Sequence, residues 1–259
     1  MRSKKESTPK KRAMVRRIKL SFTLLAVILG IFAYHYLTEY YPASETACNA
    51  LEDGIEKGHI YYSSQNGKNI IFKSETDTEV GILFYPGGKV DYVAYTPLLE
   101  GLREEGYDVV LMKMPFNLAF FDMNAGDEVI SEMKQELPNI KHWFVLGHSL
   151  GGVAASKFAA QFPGEVDGLM LLGAYDYGGY DPTNTLVIYG SNDHNLNLAK
   201  IDFDKSEVYC IEGGNHAWFG DYGKQEGDGE ALLSHKQQQE LAIYKITEWM
   251  ENHDSIVSK

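Results

Sequence analysis

The chain has 259 residues, 44% of them apolar or aromatic, and carries a formal charge of −12. That length allows one sizeable core but not two ordinary domains once an N-terminal leader is set aside. Two cysteines rule out a disulfide-built scaffold, and the acidic excess argues against a nucleic-acid partner.

Residues 1–19 hold nine Lys or Arg against the single acid Glu6, and residues 20–37 then run without a charged side chain. An eighteen-residue helix is about 27 Å long, enough to cross a hydrocarbon core. Tyr34, Tyr36, Tyr40 and Tyr41 fall where an interfacial aromatic belt would lie. The segment therefore reads as a transmembrane signal anchor. Basic flanks stay cytoplasmic, which places everything after the span outside the cell membrane. A cleaved signal peptide is the alternative, and no Ala-x-Ala site lies within reach of the apolar run. Residues 38–47, with Pro42, read as a linker, and residues 48–259 as one domain. Without the tail, 24 − 9 = 15 basic residues face 36 − 1 = 35 acidic ones, so the exported part carries about −20.

Within the domain, short runs rich in β-branched and aromatic residues recur at 60–62, 69–73, 80–85, 108–112, 143–146, 168–172, 185–189 and 207–211. Helix-period stretches fall at 92–105, 126–136 and 150–161, with a long amphipathic one at 230–251. Strands alternating with helices predict an α/β fold, a mostly parallel central sheet flanked by helices. Reactive groups in such sheets gather beyond the carboxyl ends of the strands.

One of those ends carries Gly147-His148-Ser149-Leu150-Gly151, a Gly-x-Ser-x-Gly box between an apolar run and a small-residue helix. Such a box turns sharply from strand to helix and projects the serine hydroxyl. A hydroxyl becomes a nucleophile only beside a base that something else orients. Of eight histidines, His216 sits in the glycine-rich loop 212–218 that leaves a strand, whereas His148 reads as packing or site lining, and His235 and His253 as boundary residues of the last helix. Asp193, just past strand 185–189, is the candidate orienting acid, with Asp176 as its rival. The oxyanion needs two donors. The Leu150 N–H is one candidate, and Gly88, in the paired-glycine loop 86–89, is the other, with Gly87 and Lys89 open as alternatives. Phe116, Phe120, Phe121, Trp218 and Phe219 are candidates to line an apolar pocket, or else simply core. The lysine after Gly88 does not make a phosphate loop, because Leu83 stands where the first glycine belongs. No metal-ligand spacing occurs among the His, Asp and Cys residues either, so no metal is expected. An oxidising exterior would permit a Cys48–Cys210 bridge, and two singly placed thiols are the alternative.

The order Ser149, Asp193, His216, with the elbow between strand and helix, resembles the α/β-hydrolase superfamily over most of residues 58–250. Residues 84–91, 113–119 and 213–223 are similar to its small dienelactone-hydrolase-like branch of Gram-positive bacteria. That resemblance implies serine-dependent hydrolysis, without metal or organic cofactor, of an ester or related acyl bond in a small-molecule or lipid-like substrate. Dienelactone hydrolase itself is known for a cysteine nucleophile where this chain has Ser149, so its substrate does not transfer. The short gap between 172 and 185 implies that no large cap domain is inserted there. Acyl transfer by the same three residues, or a silent binding domain on the same fold, remain the alternatives.

Overall fold

The computed structural model describes residues 9–65 and 67–257, so the first eight residues of the basic tail lie outside the described residues. The chain divides into two compact units, Met1–Tyr40 and Tyr41–Lys259. The first contains one helix, α1 (Pro9–Thr38), whose stretch Arg16–Thr38 is long and apolar enough to cross a membrane. Its apolar side chains, such as Leu20, Phe22 and Phe32, are exposed.

The second unit is hydrogen-bonded from its first residue. The Tyr41 N–H donates to the Lys89 carbonyl at 2.7 Å, the Tyr41 carbonyl accepts from the Asp91 N–H at 2.9 Å, and the Ser44 N–H donates to the Asp221 carbonyl at 2.7 Å. Helix α2 (Glu45–Lys57) follows, absent from the sequence reading. The Ser44 hydroxyl caps it by accepting from the Ala47 N–H at 3.2 Å, and Gly58 ends it at φ 81°. Its buried stripe is only Ala47, Leu51 and Gly54, too thin a periodic signal to stand out among acidic neighbours.

Eight strands form one sheet: β1 (Ile60–Tyr62), β2 (Ile70–Phe72), β3 (Val80–Tyr85), β4 (Asp108–Leu111), β5 (His142–His148), β6 (Gly168–Leu172), β7 (Thr185–Gly190) and β8 (Glu207–Ile211). Their order is β1-β2-β4-β3-β5-β6-β7-β8. The β1–β2 and β2–β4 pairs are antiparallel and the others parallel. β3 and β5 are central, apolar along their length and covered on both faces, as parallel strands require. Helices α3 (Thr96–Glu104), α4 (Ala125–Glu136), α5 (Leu150–Gln161) and α6 (His235–Val257) complete the layers. Alternation along β3 splits the core. Ile82 and Phe84 join Leu98, Leu99, Ile246 and Trp249 on one face, while Leu83 and Tyr85 join Ile130, Met133 and Phe158 on the other.

The helical stretch expected at 92–105 is a 3-10 turn (Tyr92–Tyr95) followed by α3, because Pro97 starts a new helix in its first turn. The last helix begins at His235 rather than 230, leaving the preceding residues as a loop. Cys48 and Cys210 are both free and exposed, so they form no bridge. One sits on α2 and the other on the outermost strand β8, beside Tyr189.

Candidate active site

β5 delivers Ser149 to the carboxyl edge of the sheet, where its N–H still donates to the Leu172 carbonyl of β6 at 3.0 Å. The residue then takes φ 53°, ψ −122°, a conformation that L-residues avoid, and α5 starts immediately at Leu150. The glycines around it permit this turn. A Cβ on Gly147 would stand 2.7 Å from the Gly151 carbonyl oxygen and from Gly152 Cα, and one on Gly151 would run into the carbonyls of Tyr85 and Pro86. Helix, elbow and the end of β3 are thus in direct backbone contact.

The loop after β3 meets the elbow from the other side. Gly87 donates its N–H to Tyr95 Oη at 3.0 Å, and Lys89, at φ 60°, donates its N–H to the Asn117 carbonyl at 2.7 Å. Among the described residues the N–H groups of Gly88 and Leu150 donate to no protein acceptor. The two residues touch, since a Cβ on Gly88 would stand 2.6 Å from Leu150 Cδ2. Of the three residues left open by the sequence, only Gly88 keeps its donor free.

His216 and Asp193 come together behind the elbow. His216 Nδ1 lies 2.8 Å from Asp193 Oδ2, with both side chains buried. The other carboxylate oxygen accepts from the N–H groups of Asn195 and Leu196, each at 2.9 Å, so Asp193 is held at both ends. An acceptor carboxylate places the imidazole proton on Nδ1 and leaves a lone pair on Nε2. That Nε2 is buried without a hydrogen-bond partner among the described residues. Asp176, the rival, accepts instead from the N–H groups of Gly178 and Gly179 and closes its own loop, and burial raises its pKa. Gly173, at φ 52°, makes room for the pair: a Cβ there would stand 2.9 Å from His216 Nδ1 and 3.0 Å from Asp193 Oδ2.

His148 links these parts. Its Nε2 lies 3.0 Å from the His216 carbonyl, which can only accept, so the proton resides on Nε2. Nδ1 then accepts from the Tyr95 hydroxyl at 2.8 Å. A continuous path results, from Gly87 N–H through Tyr95 Oη and His148 to the backbone of His216. Desolvation, and then the neighbouring His216, hold the His148 pKa well below the ordinary histidine value, while burial raises that of Tyr95. His148 is therefore a neutral structural ring packed 4.8 Å, centroid to centroid, from His216.

Three further residues carry the histidine loop. Asp228 accepts from the N–H groups of His216 and Ala217, at 3.1 and 2.9 Å. Gln238 on α6, fully buried, grips Asn215 by accepting from its N–H at 2.9 Å and donating to its carbonyl at 2.7 Å. Asn215 in turn donates to the Gly229 carbonyl and accepts from the Trp218 N–H. The Asn215-His216 dipeptide hints at this latch, but Gln238, in a polar helical run, gives no signal in the sequence.

The candidate pocket aromatics separate. Phe219 is fully buried and packs on His148 at 5.7 Å. Trp218 stacks on His235 at 4.3 Å, toward α6. Burial lowers the His235 pKa. Phe116, at φ 54°, is 59% exposed. A groove of about 570 Å³ between α2, α3 and α6 contains none of Ser149, Asp193 or His216.

Solved structures share this architecture at low identity. A lipase from Acinetobacter baumannii, described as putative, is 12% identical, with 81% of this chain and 97% of that chain covered and a TM-score of 0.54. Est1E from Butyrivibrio proteoclasticus is 13% identical, covering 76% of this chain and 100% of that chain at a TM-score of 0.53. A soluble variant of the monoglyceride lipase of Saccharomyces cerevisiae is 11% identical, covering 71% and 91% at 0.50. No curated protein matches. A family model described as "Alpha/beta hydrolase family" matches residues 81–240, more than half of the chain and the whole stretch from β3 to the latch on α6. With that span and the sheet order beneath it, the chain belongs to the α/β-hydrolase family.

Proposed function

We propose that the protein is a membrane-anchored serine hydrolase of carboxylic esters or related acyl bonds, with its domain on the outer side of the membrane. One observation carries the reading: the buried, unpartnered Nε2 of a histidine whose Nδ1 is bonded to Asp193 and whose ring packs on His148, the residue that precedes a serine held in an elbow. In this mechanism Ser149 Oγ attacks the acyl carbonyl as His216 Nε2 takes its proton, and Asp193 stabilises the resulting imidazolium. The free N–H groups of Gly88 and Leu150 receive the oxyanion, each donor contributing roughly 10²–10³ in rate. His216 protonates the departing alkoxide, and a water deprotonated by His216 then releases the acid and regenerates Ser149. Relatives described as lipolytic enzymes and as a lipase support an ester as substrate.

A fluorophosphonate probe should label Ser149, and Ser149→Ala should abolish both labelling and turnover of p-nitrophenyl acetate while leaving the thermal midpoint within a few degrees. An alanine variant that keeps wild-type turnover sinks the assignment. The basic tail and α1 support the anchor and its direction.

A further inference from the structure

The point where the chain enters the domain is tied to the mouth of the site. Only Glu39 and Tyr40 separate Thr38, the end of α1, from Tyr41, and three such steps reach about 11 Å at most. Tyr41 is bonded through its backbone to Lys89 and Asp91, in the loop that presents Gly88, and it forms a bridge with Val90. Its hydroxyl accepts from the Glu226 N–H at 3.2 Å, and Ser44 is bonded to Asp221, both in the segment beyond His216. The tether thus arrives between the two loops that frame the site.

Next to it stands an apolar projection. Phe116, Phe120 and Phe121 are 59%, 64% and 51% exposed, and they contact one another edge to face at 5.6 and 6.0 Å. The loop is held firmly: Phe116 and Asn117 are both left-handed at φ 54°, the Asn117 carbonyl accepts from Lys89, and Tyr85 Oη bonds Met123 and Gly126 beyond the aromatics. Three neighbouring exposed phenylalanines on a fixed loop mark a surface that leaves water for another phase.

We propose that Phe116, Phe120 and Phe121 dip into the outer surface of the bilayer that anchors the chain, so that the site takes its acyl substrate from the lipid itself. The proposal rests on the hydrolase and anchor readings above. The tether length decides for the bilayer over a soluble partner, because it holds the adjoining Lys89 loop within reach of the membrane surface. The domain's charge of about −20 selects an electrically neutral surface, since anionic headgroups would repel it.

The full-length protein in phosphatidylcholine vesicles tests this with two esters, water-soluble p-nitrophenyl acetate and p-nitrophenyl palmitate dissolved in the bilayer. The palmitate-to-acetate rate ratio should fall at least tenfold in the double variant F120S/F121S. In vesicles of acyl-chain-brominated phosphatidylcholine, the added fluorescence of Phe121→Trp should be quenched at least twofold. That of Phe203→Trp should not, since Phe203 is an exposed site four residues before β8 begins. An unchanged ratio, or equal quenching at both positions, overturns the proposal while leaving the hydrolase reading intact. A wild type inactive on both esters overturns the two together.

Discussion

Ser149 pays for its position in backbone strain, on the order of 1–3 kcal/mol for a side-chain-bearing residue at φ 53°. Ser149→Gly should therefore raise the unfolding free energy by about 1 kcal/mol while eliminating turnover, and a glycine variant no more stable than wild type would show that the elbow is unstrained. His148 has the opposite signature. Its folded pKa lies below the unfolded value, so its contribution to stability is complete above about pH 6.5. As pH falls below that, the unfolded chain takes up a proton that the folded one refuses, and stability drops by about 1 kcal/mol per unit. His148→Gln keeps a donor for the His216 carbonyl and removes the titration, so urea melts at pH 7.5 and 5.5 should diverge less in the variant. The half-buried His235, also depressed, contributes equally to both proteins and cancels in the comparison. Ser149, Asp193 and His216 could be singled out in the sequence as candidates because each follows a strand and carries its own chemistry. Tyr95, Asp228 and Gln238 were not. Their partners lie 8 to 53 positions away, and a tyrosine, a loop aspartate and a helical glutamine are ordinary in each local setting.

At the level of elements, the site depends on how closely α5 approaches β3. Gly151 is the contact, and any side chain there meets two carbonyls that cannot move without shifting the loop that presents Gly88. Gly151→Ala should cost about 1–3 kcal/mol by overpacking, with turnover falling further than stability because the Gly88 and Leu150 donors separate. Equal losses at every assay temperature, traceable to unfolding alone, would refute the second part. The strands and α5 were legible because β3, β5 and β6 are continuous apolar runs and the box glycines announce the turn. α2 was not, since three buried positions in thirteen residues give no usable period. The beginning of α6 was misplaced because residues 230–234 share its polarity while folding as part of the loop beneath His216.

For the molecule as a whole, the division at Tyr40 separates a basic, apolar leader from an acidic catalytic unit. If α1 is inserted as its flanking charges direct, C-terminal fusions to alkaline phosphatase should be active and fusions to a cytoplasmic reporter silent. The reverse pattern would place the domain inside the cell. The exposed, unbridged Cys48 and Cys210 further imply that reductant leaves the melting temperature unchanged.

The grip of Gln238 on Asn215 also has a meaning in time. Every residue of the crevice precedes Gln238 in the chain, so the ribosome delivers this latch last, after Ser149, Asp193 and His216 have already emerged. Until Gln238 has emerged, the Asn215 N–H and carbonyl lack these two partners, so under the proposed mechanism a nascent chain would carry Ser149, Asp193 and His216 without the hook that seats the histidine.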